Sequence, residues 1–340
     1  MKKLLVTGCD GFIGTNYLLQ SLVKKKYSIL NIDKNNFNQS IFSKFSNYKF
    51  CKINLLNLSK VKEVVFSFKP SAIIHFAADS HVDSSIENPL RVFHNNTTST
   101  INLLNSILYS NINLNSFKFV YISTDEVYGS VEKKSFTENF ILNPSSPYSA
   151  SKASCEHIVT SYYKTYGIPY LITNCSNNFG PFQYPEKFIP LSIYKLLQGD
   201  KIPIYGLGDQ IREWIYVKDH NEAINFLLEK AQYPQKYNIG SNNKLTNLNL
   251  AKKLIKIMNS KKLISKSDNY IEFIKDRPGH DKKYSINSKK INDLGWSSKS
   301  NFEDTLGITI DWYVENYTWL KKIIKHYNKG NRMGLNIRKI

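Results

Sequence analysis

The feature that most constrains this chain is a rhythm in its first 176 residues, where short apolar runs alternate with longer amphipathic stretches. The runs at 3–7, 28–32, 48–51, 72–75, 117–122 and 169–173 have strand length. The stretches at 12–25, 59–68, 89–109 and 147–166 carry helical spacing. Strands alternating with helices predict an α/β fold built on a doubly wound parallel sheet. The near-continuous apolar character of several strands fits a sheet covered on both faces. Beyond about residue 177 the pattern breaks into shorter pieces, with helices expected at 187–197, 217–230, 247–258 and 302–313. Gly and Pro at 180–181, 206–208 and 278–279 mark loops.

Three glycines sharpen the fold prediction. Gly8, Gly11 and Gly14 follow the first strand and open the first helix, in the spacing GxxGxxG. Such a turn lets backbone approach a pyrophosphate and leaves the helix N–H groups free for it. Asp33 ends the second strand, 19 residues past Gly14, where an acid accepts both ribose hydroxyls. An acid there favours NAD over NADP. The first 176 residues are therefore read mainly as a Rossmann-type NAD-binding domain. Residues 177–320 are read mainly as a smaller C-terminal substrate-binding lobe, some of whose elements return to the first domain, and 321–340 as a basic tail.

Net charge is +19, from 46 Lys+Arg against 27 Asp+Glu. Only Arg91, Arg212, Arg277, Arg332 and Arg338 are arginines, and base readout leans on Arg, so a solvated lysine surface is the reading and nucleic acid is not the expected partner. Cys9, Cys51, Cys155 and Cys175 form no CxxC pair, which predicts free thiols in a cytoplasmic protein and no metal site. No apolar run approaches the roughly 18 residues of a membrane span.

Tyr148 and Lys152 stand four apart on a predicted helix, hence on one face. An ammonium beside a phenol stabilises phenolate and is expected to lower the Tyr148 pKa toward working pH. The fifth strand runs into Ser123-Thr124-Asp125-Glu126, at the strand end where ligands bind in such sheets. Two adjacent carboxyls, one protonated and one ionised, supply an acid and a base; a polar loop or helix cap is the competing explanation.

The segments VTGCDGFIG (6–14), HFAADSHVDSSI (75–86), ISTDEVYG (122–129), PSSPYSASKAS (144–154), TNCSNNFGPFQYPEKFIPL (173–191), PIYGLGDQIREWIYVKDH (203–220), YNIGSNN (237–243) and DRPGHDKKYSI (276–286) run in order over residues 1–320. With them the chain resembles the extended short-chain dehydrogenase/reductases of the NAD-dependent epimerase/dehydratase family, and within it the dTDP-glucose 4,6-dehydratases. The resemblance implies a lyase that oxidises C4 of dTDP-glucose with bound NAD, eliminates water across C5 and C6, and returns the hydride to C6. UDP-glucose dehydration, and another NAD-dependent epimerase or decarboxylase, are the alternatives; Asp125 and Glu126 argue against the last two. A non-catalytic protein on the same fold is disfavoured by the intact Thr124, Asp125, Glu126, Tyr148 and Lys152.

By the same resemblance Phe12, Ile13, Lys34, Asn54, Leu55, Phe76, Ala77, Ala78, Asn95 and Asn178 join the glycines, Asp33, Tyr148 and Lys152 around NAD. Ser80, Thr124 and Asn177 face the sugar or its phosphates, and Lys187 and Arg212 the diphosphate. Pro203, Ile204, Tyr205, Asn247, Arg277 and His280 line the nucleotide. A homodimer through the helices at 89–109 and 147–166 is implied as well. The chain departs from the family pattern at Cys9-Asp10, where Gly-Ala is common, and at Asn54, Asp79, Ser84 and Asn95. Asp10 adds a negative charge near the pyrophosphate turn unless it points to solvent.

Overall fold

The computed structural model describes all residues except 132–133, 266–268, 277–280 and 329–340, with the side chains of 326–328 also outside the description. The strands are β1 (Lys2–Thr7), β2 (Tyr27–Asp33), β3 (Tyr48–Lys52), β4 (Ala72–His75), β5 (Lys118–Thr124), β6 (Tyr170–Cys175), β7 (Asn177–Phe179), β8 (Ile202–Tyr205), β9 (Ile211–Tyr216), β10 (Gln235–Ile239), β11 (Lys244–Thr246) and β12 (Ile271–Ile274). Seven of them form one sheet in the order β10-β6-β5-β4-β1-β2-β3, with every pairing parallel. The order reverses between β1 and β4, which opens the crevice where a ligand binds in doubly wound sheets.

Alternation along the strands divides the core between two layers. Leu4, Val6, Ile29, Ile74 and Val120 pack with the helices Phe12–Val23 and Val217–Lys230. Leu5, Leu30, Ile73 and Phe119 pack with Leu58–Phe68, Pro89–Leu108 and Pro147–Tyr166. The chain leaves the large sheet after β6, then returns to it for the helix Val217–Lys230 and for β10.

The remaining strands form two small sheets, β11-β9-β7 and β12-β8. They share a core with the helices Phe188–Leu197, Asn247–Ser260, Phe302–Glu315 and Tyr317–Asn328. The last of these runs into the segment read as a basic tail. The tail from residue 329 lies outside the described residues. Among the described residues no helix is long and apolar enough to cross a membrane.

Candidate active site

β1 ends in the glycine turn at the sheet's switch point. Gly8 has φ +74, and a Cβ there would come within 2.5 Å of the Ala77 backbone after β4. At Gly14 a Cβ would come within 2.5 Å of Cys9 Cα, so the helix start can press on the turn only without a side chain. Gly11 is the N-cap of helix Phe12–Val23 and gives no side-chain cap, which leaves the first amides for a ligand.

A cavity of about 500 Å³ lies over this turn. It gathers Gly8, Gly11, Phe12, Ile13 and Gly14, then Asp33 and Lys34 at the end of β2 and Asn54 and Leu55 after β3. Phe76, Ala77, Ala78 and Ser80 reach it from the end of β4, and Asn95 from helix Pro89–Leu108. Thr124, Asp125, Glu126, Tyr148, Lys152, Asn177, Asn178 and Lys187 complete the predicted residues along it. Asp33 accepts the backbone N–H groups of Asp10 and Asn35, each at 3.0 Å. Burial nevertheless pushes its carboxyl up to about 6. Lys34 lies 3.7 Å from Asp79. These features fit a dinucleotide: an uncapped helix start for the phosphates and a buried acceptor for the ribose.

The reactive groups sit where β5 gives way to the tight turn Asp125–Tyr128. The Thr124 hydroxyl accepts the Glu126 N–H and donates to Asp125 Oδ1, both at 3.3 Å. Asp125 is buried, and its Oδ2 has no partner among the described residues. Burial, then the charges of Glu126 and Glu213, hold its carboxyl well above the usual range. Lys152 donates to the Ile122 carbonyl at 2.7 Å and lies 4.2 Å from the centre of the Tyr121 ring. Burial lowers its ammonium to about 8.

Lowering of the Tyr148 pKa by Lys152 is not what the structure shows. Burial raises the phenol well above its ordinary value, and Glu126, Cys175 and Asp125 push the same way, while the bond to Thr124 opposes them. The ammonium is spent on a backbone carbonyl, so it does not offset the desolvation.

Glu156, one turn beyond Lys152, braces this strand end. It accepts Ser123 Oγ and Asn174 Nδ2, each at 2.6 Å, and pairs with Lys236 of β10 at 2.6 Å. Asn174 Nδ2 also donates to the Thr124 carbonyl at 3.1 Å.

A second cavity of about 200 Å³ adjoins the first and shares Glu126, Asn177, Asn178 and Lys187 with it. Pro203, Tyr205, Arg212 and Asn247 line it. Ile204 is a correction: alternation along β8 turns its side chain into the core of the small lobe, where it is fully buried. Arg277 and His280 lie outside the described residues. The Arg212 guanidinium stacks 4.2 Å from the Tyr284 ring centre and donates to the Ile211 and Asp281 carbonyls, both at 2.9 Å.

Asp10 points neither to the cavity nor to solvent; it is buried in the turn. Sequence reasoning passed over Glu186, Gln183, Tyr184, Trp214 and Tyr284, which line the cavities. All five fall inside the quoted segments, the first three beside Lys187 in 173–191, and that position was the available signal. Burial raises the Glu186 carboxyl.

Comparison with known proteins places this geometry among relatives. The family described as GDP-mannose 4,6 dehydratase matches residues 5–309. A probable dTDP-glucose 4,6-dehydratase of Sinorhizobium fredii is 38% identical over 348 residues, spanning 98% of this chain and 99% of its own. The crystal structure of dTDP-glucose 4,6-dehydratase from Bacillus anthracis in complex with NAD aligns with TM-score 0.85 at 37% identity, covering 95% of this chain and 100% of the other. DesIV, a dTDP-glucose 4,6-dehydratase from Streptomyces venezuelae with NAD bound, aligns with TM-score 0.88 at 34% identity, covering 94% and 99%.

Proposed function

The chain belongs to the GDP-mannose 4,6 dehydratase family, and we propose that it dehydrates dTDP-glucose to dTDP-4-keto-6-deoxyglucose, using NAD that ends each turnover as it began. The observation that carries the reading is the adjacency of Asp125 and Glu126 at the end of β5, in one cavity with Tyr148 and Lys152. Tyr148 exchanges a proton with the sugar 4-hydroxyl, and Lys152, one turn along, holds the end of β5 beside it through the Ile122 carbonyl. Thr124 hydrogen-bonds the same oxygen. When bound, NAD supplies the hydride acceptor at C4 and the hydride donor at C6. The 4-ketone acidifies C5, and Glu126 removes that proton. Asp125, whose burial favours the protonated carboxyl, gives its proton to the departing C6 hydroxyl.

Lys187 and Arg212 are assigned to the diphosphate, Ser80 and Asn177 to the sugar, and Pro203, Tyr205 and Asn247 to the nucleoside. Thymidine and uridine differ by one methyl, worth about 1 kcal/mol in a pocket. A homodimer through Pro89–Leu108 and Pro147–Tyr166 is supported by the exposed Leu90, Phe93, Leu108, Tyr163 and Tyr166 on those helices. A cytoplasmic location accords with four free cysteines.

The test is incubation of purified protein with dTDP-glucose, and in parallel with UDP-glucose, followed by alkali and the absorbance of a 4-keto-6-deoxy product. Product from dTDP-glucose without added NAD is expected. No product from either sugar with folded, NAD-loaded protein would overturn the reading.

A further inference from the structure

Asp10 stands in the glycine turn, yet the chemistry above gives it no task. It is only 1% exposed, and it does not line the cavity, although Gly8 and Gly11 do. Its carboxylate accepts the backbone N–H groups of Phe37 and Asn38, both at 2.8 Å, and the Gln39 side-chain amide at 3.3 Å. The acid is therefore turned away from the phosphate side and knits the turn to the loop after β2. Its carbonyl accepts the Asn38 side-chain amide at 3.1 Å and the Tyr184 hydroxyl at 3.0 Å, across 174 residues of chain.

Tyr184 lies in a segment anchored from behind. Asn16, from the helix that the glycine turn opens, donates to the Pro181 carbonyl at 2.8 Å. The Tyr313 hydroxyl donates to the Gln183 carbonyl at 2.6 Å. Phe182 is held at φ +65, a left-handed conformation that its surroundings must impose on a non-glycine residue. Its ring packs against Trp312 and Trp319, with centroids at 4.5 and 5.8 Å. Two and three residues past Tyr184, Glu186 and Lys187 line both cavities. One short segment thus touches the cofactor turn at one end and the substrate cavity at the other.

We propose that Tyr184 and Asp10 form a latch that retains the dinucleotide. The bond from the Tyr184 hydroxyl to the Asp10 carbonyl fastens the glycine turn to the 180–184 segment, and the Asp10 carboxylate fastens the same turn to the 35–39 loop. Release of the cofactor requires these loops to part, so the bonds set the rate of release. Both are positioning residues. The inference rests on the NAD reading of the cavity.

The experiment uses the full-length wild type, Tyr184→Phe and Asp10→Ala, each loaded with NAD and exchanged against excess labelled NAD. Tyr184→Phe keeps the ring and is expected to release NAD about five- to tenfold faster, the change that one lost hydrogen bond produces. Its NAD-free melting temperature should fall by no more than about 3 °C, the shift one hydrogen bond produces, which separates a latch from a general loss of stability. Asp10→Ala is expected to release NAD faster as well. Unchanged release from Tyr184→Phe would overturn the latch while leaving the NAD reading intact. Slower release from Asp10→Ala would overturn it too, because the acid would then be weakening retention. A wild type that binds no NAD would overturn both.

Discussion

Asp125 and Glu126 are chain neighbours with different surroundings. The first is buried with one carboxyl oxygen unpartnered among the described residues; the second is part-exposed at the mouth shared by the two cavities. That contrast is what a paired acid and base require. Glu126→Gln should lower kcat about 10²- to 10⁴-fold, the range for loss of a general base. It should leave C4 oxidation in place, so a single turnover should accumulate the absorbance of reduced cofactor; loss of kcat without that signal would move the base elsewhere. Asp33 gives a pH dependence. Its folded pKa is raised to about 6, so without ligand its ionisation costs stability as pH rises through that value. A ribose hydroxyl donates to the ionised form, so NAD affinity is lost as pH falls through the same value. NAD titration should give binding about tenfold weaker at pH 5 than at pH 8, and Asp33→Asn should flatten the profile.

Elements show why some of the structure could be read from the chain and some could not. Residues 72–75, 147–166 and 217–230 were bounded correctly because apolar runs, Pro at the helix start and Gly after its end are local signals. β5 runs two residues beyond its expected end and so carries Thr124 to the edge of the reactive turn. The small sheets of two and three strands have too few alternations to register as a pattern. Within the site, residue types and spacing pointed to the glycine turn, Asp33 and the Tyr148–Lys152 face. The direction of the Tyr148 shift was not legible, since burial is a property of the assembled fold. Nor was the brace on Glu156, which joins residues from β5, β6 and β10. Lys236→Met leaves the Glu156 carboxylate buried without its cation. It should cost about 2 kcal/mol in urea unfolding, less than for a wholly buried pair because the lysine side chain is 21% exposed. Adding Glu156→Gln to that variant should recover part of the loss; full additivity of the two changes would mean that the pair is not coupled.

At the scale of the molecule, a net charge of +19 surrounds a site meant for a sugar diphosphate. Such a field speeds the encounter with an anionic substrate and is screened by salt. The value of kcat/KM for dTDP-glucose should therefore fall as sodium chloride rises from about 20 to 300 mM, with kcat nearly constant. A flat salt profile would mean that the lysines are spread too evenly to steer. The placement of β10 has a consequence for how the molecule comes into being. A ribosome that has finished β6 has still to make the strand that covers its open edge, and it must first make three strands of the small sheets. Until Ile239 has left the exit tunnel, the nascent sheet presents an unpaired, largely apolar border, and this is the interval in which a chaperone would find most to hold.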